Sequence, residues 1–179
     1  MPEVTPLISP RLPAGVDVCY TPIDAPSRTP RRREAEREAV ARLIEWRFGR
    51  DVSLGHLDSG APVLLPPSDV AVSISHSLTE AWLAVSRRGP VGIDAEHPRP
   101  QLQRVAPRFL SPREAASAPS LARLLLFWTA KEAVYKAAAT PGLDMRHIEV
   151  DPEALTATLP DGRRFLLAPL APGLTLAFV

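Results

Sequence analysis

The sequence has one cysteine, Cys19, so no internal disulfide framework is possible and a reducing compartment is the expectation. It has no apolar run of about 18 residues or more, which excludes a membrane-spanning helix, and no membrane partner is expected. Its opening, MPEVTPLISPRLP, lacks the charged start and continuous apolar stretch of a secretion signal, so the expected location is cytoplasmic. Excess charge is missing too: 21 Lys and Arg against 20 Asp and Glu leave a formal net charge of +1. A surface that neutralises many phosphates would show as a clear positive excess, so nucleic acid is not an expected partner, although local cations can still recruit a small anion. Proline is what the chain has in plenty. Its 21 prolines concentrate in residues 1–30, 62–67, 98–119 and 160–172, the pattern of short elements joined by restrained loops. With 45% apolar and 23% charged residues, the 179-residue chain reads as one folded domain, or as two small lobes sharing a core.

Residues 71–96, AVSISHSLTEAWLAVSRRGPVGIDAE, contain three expected strands, Ala71 to His76, Ala81 to Ser86 and Val91 to Glu96, in the simplest arrangement a meander. In the third, period-2 geometry puts Gly92, Asp94 and Glu96 on one face and Val91, Ile93 and Ala95 on the other. Two carboxylates on one face of an apolar strand are costly unless paired, hydrogen-bonded or metal-bound.

A helix is expected from Pro30 to Arg47, with Thr29 as N-cap and Val40, Leu43, Ile44 and Phe48 facing the core. The basic run Arg28, Arg31, Arg32, Arg33 and Arg37 at its start opposes the helix dipole; a bound anion would resolve that conflict, and a solvated face mixed with Glu34, Glu36 and Glu38 is the alternative. Residues 49–70 read as a loop carrying an apolar patch, Val63-Leu64-Leu65, with His56 as a surface histidine. A short helix is expected over Leu102 to Phe109, a capping box at Ser111-Pro112-Arg113-Glu114, and the strongest helix over Ser120 to Ala139. Leu121, Leu124, Leu125, Trp128 and Tyr135 supply much of its apolar face. Further strands are expected at Gly15 to Tyr20, Arg146 to Val150, Ala154 to Leu159, Arg163 to Ala168 and Leu174 to Val179, with Asp161-Gly162 as a hairpin turn. Both halves then run from helix to strands.

On the long helix Trp128, Glu132 and Lys136 recur at four-residue spacing and share one side, with Lys131 beside them. Asp94, Glu96 and Glu132 offer three hard oxygen donors and no cysteine or histidine cluster, a set that suits Mg²⁺ better than structural zinc if helix and strand cross. Lys136 is then placed to meet a phosphate as a point charge. Ser75-His76 suggests a hydrolase pair only weakly, because no Gly-x-Ser-x-Gly elbow accompanies it; phosphate hydrogen bonding or closure of the strand end fits these residues better.

Four pieces, Ser73-Ile74-Ser75-His76-Ser77, Val91-Gly92-Ile93-Asp94-Ala95-Glu96, Arg108-Phe109-Leu110-Ser111 with Glu114, and Phe127-Trp128-Thr129-Ala130-Lys131-Glu132-Ala133-Val134-Tyr135-Lys136, carry a resemblance in their order and separations. The chain resembles the 4'-phosphopantetheinyl transferase superfamily, in its single-chain two-lobed form more than its short trimeric form. The resemblance implies an α+β fold, a pseudo-two-fold arrangement of two similar α/β lobes over residues 1–90 and 91–179, with the metal site in the second and the active cleft between them. It implies transfer of the 4'-phosphopantetheine arm from coenzyme A to a serine of an apo acyl, polyketide or peptidyl carrier protein, releasing adenosine 3',5'-bisphosphate. Asp94, Glu96 and Glu132 would hold Mg²⁺; Glu132 would accept the serine proton, directly or through water; Lys136, Ser75 and His76 would contact the coenzyme A phosphates, with the run Arg31 to Arg33, Arg31 and Arg32 first, gripping the nucleotide end. A cleft formed within one chain implies a monomer. Where the family commonly has Gly-Lys-Pro this chain has Gly60-Ala61-Pro62, so one cationic contact is missing and weaker coenzyme A binding is expected. Arg99, Arg104, Arg108 and Arg113 form a basic surface suited to an acidic carrier protein. Two other readings use the same residues: a Mg²⁺-dependent nucleotide or diphosphate hydrolase with water as the nucleophile, and a catalytically inactive homologue that binds coenzyme A or a carrier protein.

Overall fold

The computed structural model describes residues 3–26, 29–57, 59–118 and 120–179. Its elements are β1 (Thr5–Pro6), β2 (Val16–Pro22), α1 (Arg32–Phe48), β3 (Ser53–His56), β4 (Pro62–Leu65), β5 (Ala71–His76), β6 (Glu80–Ser86), β7 (Val91–Ala95), α2 (Gln101–Val105), α3 (Pro112–Ala116), α4 (Leu121–Ala138), β8 (Glu149–Asp151), β9 (Thr156–Thr158), β10 (Arg164–Ala171) and β11 (Leu174–Phe178). Short 3₁₀ turns follow α2 at Ala106–Arg108 and precede β8 at Met145–His147. The strands form a four-stranded sheet of order β1-β2-β6-β5, a five-stranded sheet of order β7-β11-β10-β9-β8, and the separate hairpin β3-β4. The fold is therefore mixed α+β with several antiparallel sheets. No helix among the described residues is long and apolar enough to cross a membrane.

Period-2 alternation assigns each strand face to a different core. Along β6, Ala81, Leu83 and Val85 meet Ala35, Ala39, Leu43 and Ile44 of α1. The intervening Trp82 and Ala84 point the other way, toward Val91, Ile93 and Ala95 of β7 and Leu174 and Leu176 of β11. On the far side of the second sheet, Phe165 and Leu167 of β10 and Ala177 of β11 pack against Phe127, Ala130 and Val134 of α4. The layers therefore run helix, sheet, sheet, helix, with an apolar core at each of the three junctions.

The expected meander holds only as far as β6. β5 and β6 form a hairpin, but residues 87–90 carry the chain across to the second sheet, where β7 pairs with β11. A strand apolar on one face and occupied by Gly92 and Asp94 on the other needs cover on both sides, which stacking between sheet and helix provides and a place beside β6 would not. Residues 49–70, expected as a loop, contain the β3–β4 hairpin, with Ser53 opposite Leu65 and His56 opposite Pro62. Gly55 and Pro62 disguise such short strands. α1 begins at Arg32 because the Thr29 hydroxyl donates to the Pro26 carbonyl (3.0 Å) and does not cap the helix; Arg28, in the same basic run, lies outside the described residues. Val40 and Phe48 are only partly buried, and Tyr135 of α4 is exposed rather than in the core. The capping box is present: the Ser111 hydroxyl accepts from the Glu114 N–H (3.3 Å) and Glu114 Oε2 accepts from the Ser111 N–H (2.8 Å).

Gly92 sets how closely β7 lies on α4. A Cβ at this position would stand 1.8 Å from the Ala133 carbonyl oxygen, a backbone atom that cannot step aside without moving the helix. Gly92→Ala is expected to destabilise the protein by about 3 kcal/mol or more, read as a lowered midpoint in thermal or urea unfolding. An unchanged midpoint would contradict this packing.

Candidate active site

β7 is an edge strand, because among the described residues its only ladder partner is β11. Its opposite edge is buried, and buried backbone groups must find partners. Side chains supply them. The Ile93 N–H donates to Ser73 Oγ (3.0 Å) and the Ala95 N–H to Ser75 Oγ (3.1 Å), so two hydroxyls of β5 stand in for a neighbouring strand. The Ile93 carbonyl accepts from Lys136 Nζ of α4 (2.9 Å). Lys136 also donates to Asp94 Oδ1 (2.8 Å) and Ser75 Oγ (3.2 Å), and the Ser75 hydroxyl donates to the same Asp94 oxygen (3.1 Å). Elements of both sheets and the long helix thus meet at one polar knot.

The rotation of α4 is set on its other side. Lys131 and Glu114 are both buried, at 0% and 2% exposure, with Nζ and Oε2 2.6 Å apart. Glu114 accepts from the Val150 N–H (2.9 Å) and Lys131 donates to the Met145 carbonyl (3.0 Å), so neither charge lacks partners. Burial pushes the Lys131 amine down, while Glu114 holds it up. Removing one member of such a pair costs about 3–5 kcal/mol because the other is left uncompensated. The hydroxyls of Thr129 and Thr175 add a buried bond of 2.8 Å from α4 to β11, and Thr175 stands opposite Asp94 in the ladder. With Lys131 turned inward, its neighbour Glu132 faces the cleft.

Glu132 is held above the usual carboxylate range, first by burial and then by the charge of Asp94; Lys136 opposes the shift and Glu96 adds to it. Asp94, Glu96 and Glu132 are thus electrostatically coupled, and their all-oxygen donor chemistry suits Mg²⁺. They are not gathered as a finished ligand set. Among the described residues no three acidic, histidine or cysteine side chains stand together as a metal cluster. Lys136 occupies Asp94 Oδ1, Arg99 pairs with Glu96 Oε2 at 2.7 Å, and the His97 N–H takes Glu96 Oε1 at 3.0 Å. Glu132 makes no hydrogen bond or ion pair with any described residue, which leaves it the free carboxylate. The residues therefore fit a divalent cation in kind and charge, with two of the three carboxylates held by cations instead.

These groups line one end of a cleft of about 1390 Å³. It exceeds the roughly 300–1,000 Å³ of ordinary small-molecule pockets and has room for a nucleotide-sized ligand. Trp128, Tyr135 and Lys136 form one wall; α1 contributes Arg33, Arg37, Val40 and Ile44; the β3–β4 hairpin adds His56, Gly60, Ala61 and Pro62. His76 lines the cleft, is half exposed, and has Nδ1 3.8 Å from Glu36. Arg31 and Arg32 are not among the lining residues. Arg32 is used structurally: Nε binds Glu36 Oε1 (2.7 Å), while its Nη atoms donate to the carbonyls of Ala25, Ser77 and Leu78, tying α1 to the turn after β5. Arg33 and Arg37 are the members of the basic run that face the cleft, and their four-residue spacing, continued by Val40, Ala41 and Ile44, was the available signal. His56, read as a surface histidine, is exposed on the cleft wall.

The raised Glu132 carboxyl means that the folded chain holds this proton more tightly than the unfolded chain does. Stability then falls as pH rises from the ordinary carboxylate range through the raised value, and the full penalty applies above it. Gln cannot ionise. In chelator-treated protein, Glu132→Gln is expected to raise the thermal midpoint at neutral pH, with the difference closing as pH drops below the ordinary carboxylate range; equal midpoints at neutral pH would refute the strain.

Among curated proteins none matches the chain. Residues 90–170, the span from the start of β7 into β10 that carries Asp94, Glu96, Glu132 and Lys136, match the family model of the 4'-phosphopantetheinyl transferase superfamily.

Proposed function

We propose that the protein transfers the 4'-phosphopantetheine arm of coenzyme A to a serine hydroxyl of an apo carrier protein, releasing adenosine 3',5'-bisphosphate. The observation that carries this reading is the free carboxylate of Glu132, its proton affinity raised by burial and then by the charge of Asp94, beside Lys136 in a nucleotide-sized cleft, within the span that matches the superfamily. In this reading residues 1–90 and 91–179 are two pseudo-two-fold related lobes, with the cleft between α1 and α4.

Asp94, Glu96 and Glu132 would hold Mg²⁺, which when bound neutralises the diphosphate and its leaving oxygen. The chain's own groups do the rest. Arg33 and Arg37 meet the nucleotide end from the α1 wall and His56 from the β3–β4 hairpin, and His76 meets the phosphates from the end of β5. Lys136 contributes its positive charge where the diphosphate lies. Glu132 accepts the proton of the incoming serine hydroxyl, directly or through water, and its raised affinity for a proton suits that work. The serine oxygen then forms its bond to the phosphorus bearing the pantetheine arm, and the bond from that phosphorus to the bridging oxygen breaks. The leaving bisphosphate keeps the electron pair. Arg104, Arg108 and Arg113, exposed around α2 and α3, present positive charge to an acidic carrier protein.

Incubation with coenzyme A, Mg²⁺ and apo acyl or peptidyl carrier proteins, read by intact mass, is expected to add one phosphopantetheine to the carrier. Chelation, or Glu132→Gln, is expected to abolish the gain with the fold retained. Release of nucleotide without modification of any carrier would favour hydrolysis, and coenzyme A binding without turnover would favour an inactive homologue.

The substitution at residue 61 gives a separate test. Ala61 lines the cleft, so a longer cationic side chain there reaches ligand space. Ala61→Lys is expected to tighten coenzyme A binding by about fivefold or more in a calorimetric titration, the size of one added charge-assisted contact. No gain would mean that Arg33 and Arg37 already satisfy the phosphates.

A further inference from the structure

Of the three carboxylates, Glu96 is the one whose two oxygens are both engaged outside the polar knot. Oε1 accepts from the His97 N–H (3.0 Å), and Oε2 lies 2.7 Å from Nη2 of Arg99. The Glu96 side chain lines the cleft and is 22% exposed; Arg99 is 48% exposed and is not among the lining residues. The arginine therefore reaches this carboxylate from outside the cleft. Its backbone has little freedom. Pro98 and Pro100 stand on either side, a residue before proline is steered away from helical dihedrals, and the Arg99 carbonyl accepts from the Leu102 N–H (3.1 Å) at the start of α2. The guanidinium is thus the movable part on a fixed anchor. An ion pair this exposed is weakly held, so its cation can be exchanged for another.

We propose that Arg99 is the counter-ion that Glu96 gives up when a divalent cation binds, and that it sets how strongly the free protein holds that cation. The inference rests on the phosphopantetheinyl transfer reading for the identity of the cation, but not for the contact itself. A guanidinium on Glu96 Oε2 lowers what this carboxylate can offer to a second cation, both by occupying the oxygen and by like-charge repulsion. Lys136 and Asp94 provide an internal comparison. The Lys136 ammonium pairs with Asp94 Oδ1 (2.8 Å) but also donates to the Ile93 carbonyl (2.9 Å), so its departure would leave a β7 carbonyl without its partner. Arg99 has no such tie: among the described residues its side chain makes no ion pair except the one with Glu96. Of the two cations held against the carboxylates, Arg99 is the one that can leave without cost to the sheet junction.

The test titrates Mn²⁺, a paramagnetic probe for the Mg²⁺ site, into the metal-free full chain without coenzyme A and reads free Mn²⁺ by electron paramagnetic resonance. Arg99→Gln is expected to bind about threefold or more tighter than the parent, because Glu96 no longer has to be released. Arg99→Lys, which keeps the charge, and Arg104→Gln, which removes an equal charge from the exposed side of α2, are each expected to stay within about twofold of the parent. In a Glu96→Gln background the further change Arg99→Gln should bring no gain, since the pair is already broken. Equal affinities in Arg99→Gln and the parent would overturn the proposal. Weaker binding in Arg99→Gln would overturn it too, by making Arg99 a support that holds Glu96 ready for the metal. An equal gain in Arg104→Gln would reduce the effect to overall charge. Carrier modification is measured on the same proteins. If a carrier is modified while Arg99→Gln binds Mn²⁺ as the parent does, this proposal alone falls; if neither protein binds Mn²⁺ and no carrier is modified, the functional reading falls with it.

Discussion

The outer edge of β7 is the constraint on which the rest of the structure depends. A strand can be buried only if both its edges are satisfied, and β11 serves just one of them. The other is closed by Ser73, Ser75 and Lys136, none of which belongs to the same sheet as β7. The bonds that complete the strand are therefore also the bonds that join the two sheets and the long helix. Close approach is a condition of this arrangement, and Gly92 meets it by leaving no Cβ between β7 and the Ala133 carbonyl. Gly173 plays a related part at the strand's far end: its carbonyl accepts from the Glu96 N–H (2.8 Å), and its φ of +77° and the nearness of Glu96 O leave no space for a side chain.

The same junction explains why the charged groups sit where they do. Lys136 is both an edge-capping donor and the counter-ion of Asp94, so the cleft keeps one fixed cation beside its carboxylates. Behind it, the buried Lys131–Glu114 pair fixes the face that α4 presents. Successive lysine and glutamate side chains then point in different directions by construction: Lys131 into the interior beside Glu114, Glu132 into the cleft. Burial first, and then the charge of Asp94, raises the proton affinity of Glu132.

Much of this was legible in the sequence because it follows from local rules. Alternation along Val91 to Glu96 separated Asp94 from Ile93 correctly, the Ser111–Glu114 capping box formed as written, and Asp161-Gly162 turned the hairpin between β9 and β10. Helical spacing likewise put Glu132 and Lys136 on one side of α4. What could not be read were the features decided by distant partners. Whether β7 would sit beside β6 or stack on it depends on β11, some 80 residues later, and no property of residues 71–96 reveals that pairing. Which of the consecutive arginines faces the cleft could not be read for the same reason. Arg32 and Arg33 are chemically identical and adjacent, yet one faces the carbonyls of Ser77 and Leu78 and the other the cleft, a difference set by the direction from which β5 approaches α1. The β3–β4 hairpin escaped because two four-residue strands containing glycine and proline have little intrinsic preference; packing of Leu64 in the α1 core holds them.

A pair of short polar side chains bridging two sheets is a more exacting device than a continuous ladder. In a ladder each strand contributes backbone groups that any sequence supplies, so substitutions leave the bonds in place. Here the bonds from β5 to β7 come from hydroxyls, and their loss leaves β7 amides buried without partners. The return is positional: Ser75 reaches Ala95, Asp94 and Lys136 through one atom, which a backbone carbonyl, able only to accept, could not do. A hydroxyl at this point lets a structural bond and the alignment of the charged pair be made together, and the cleft inherits the rigidity of the sheet junction at the place where its acid and its cation must keep their separation.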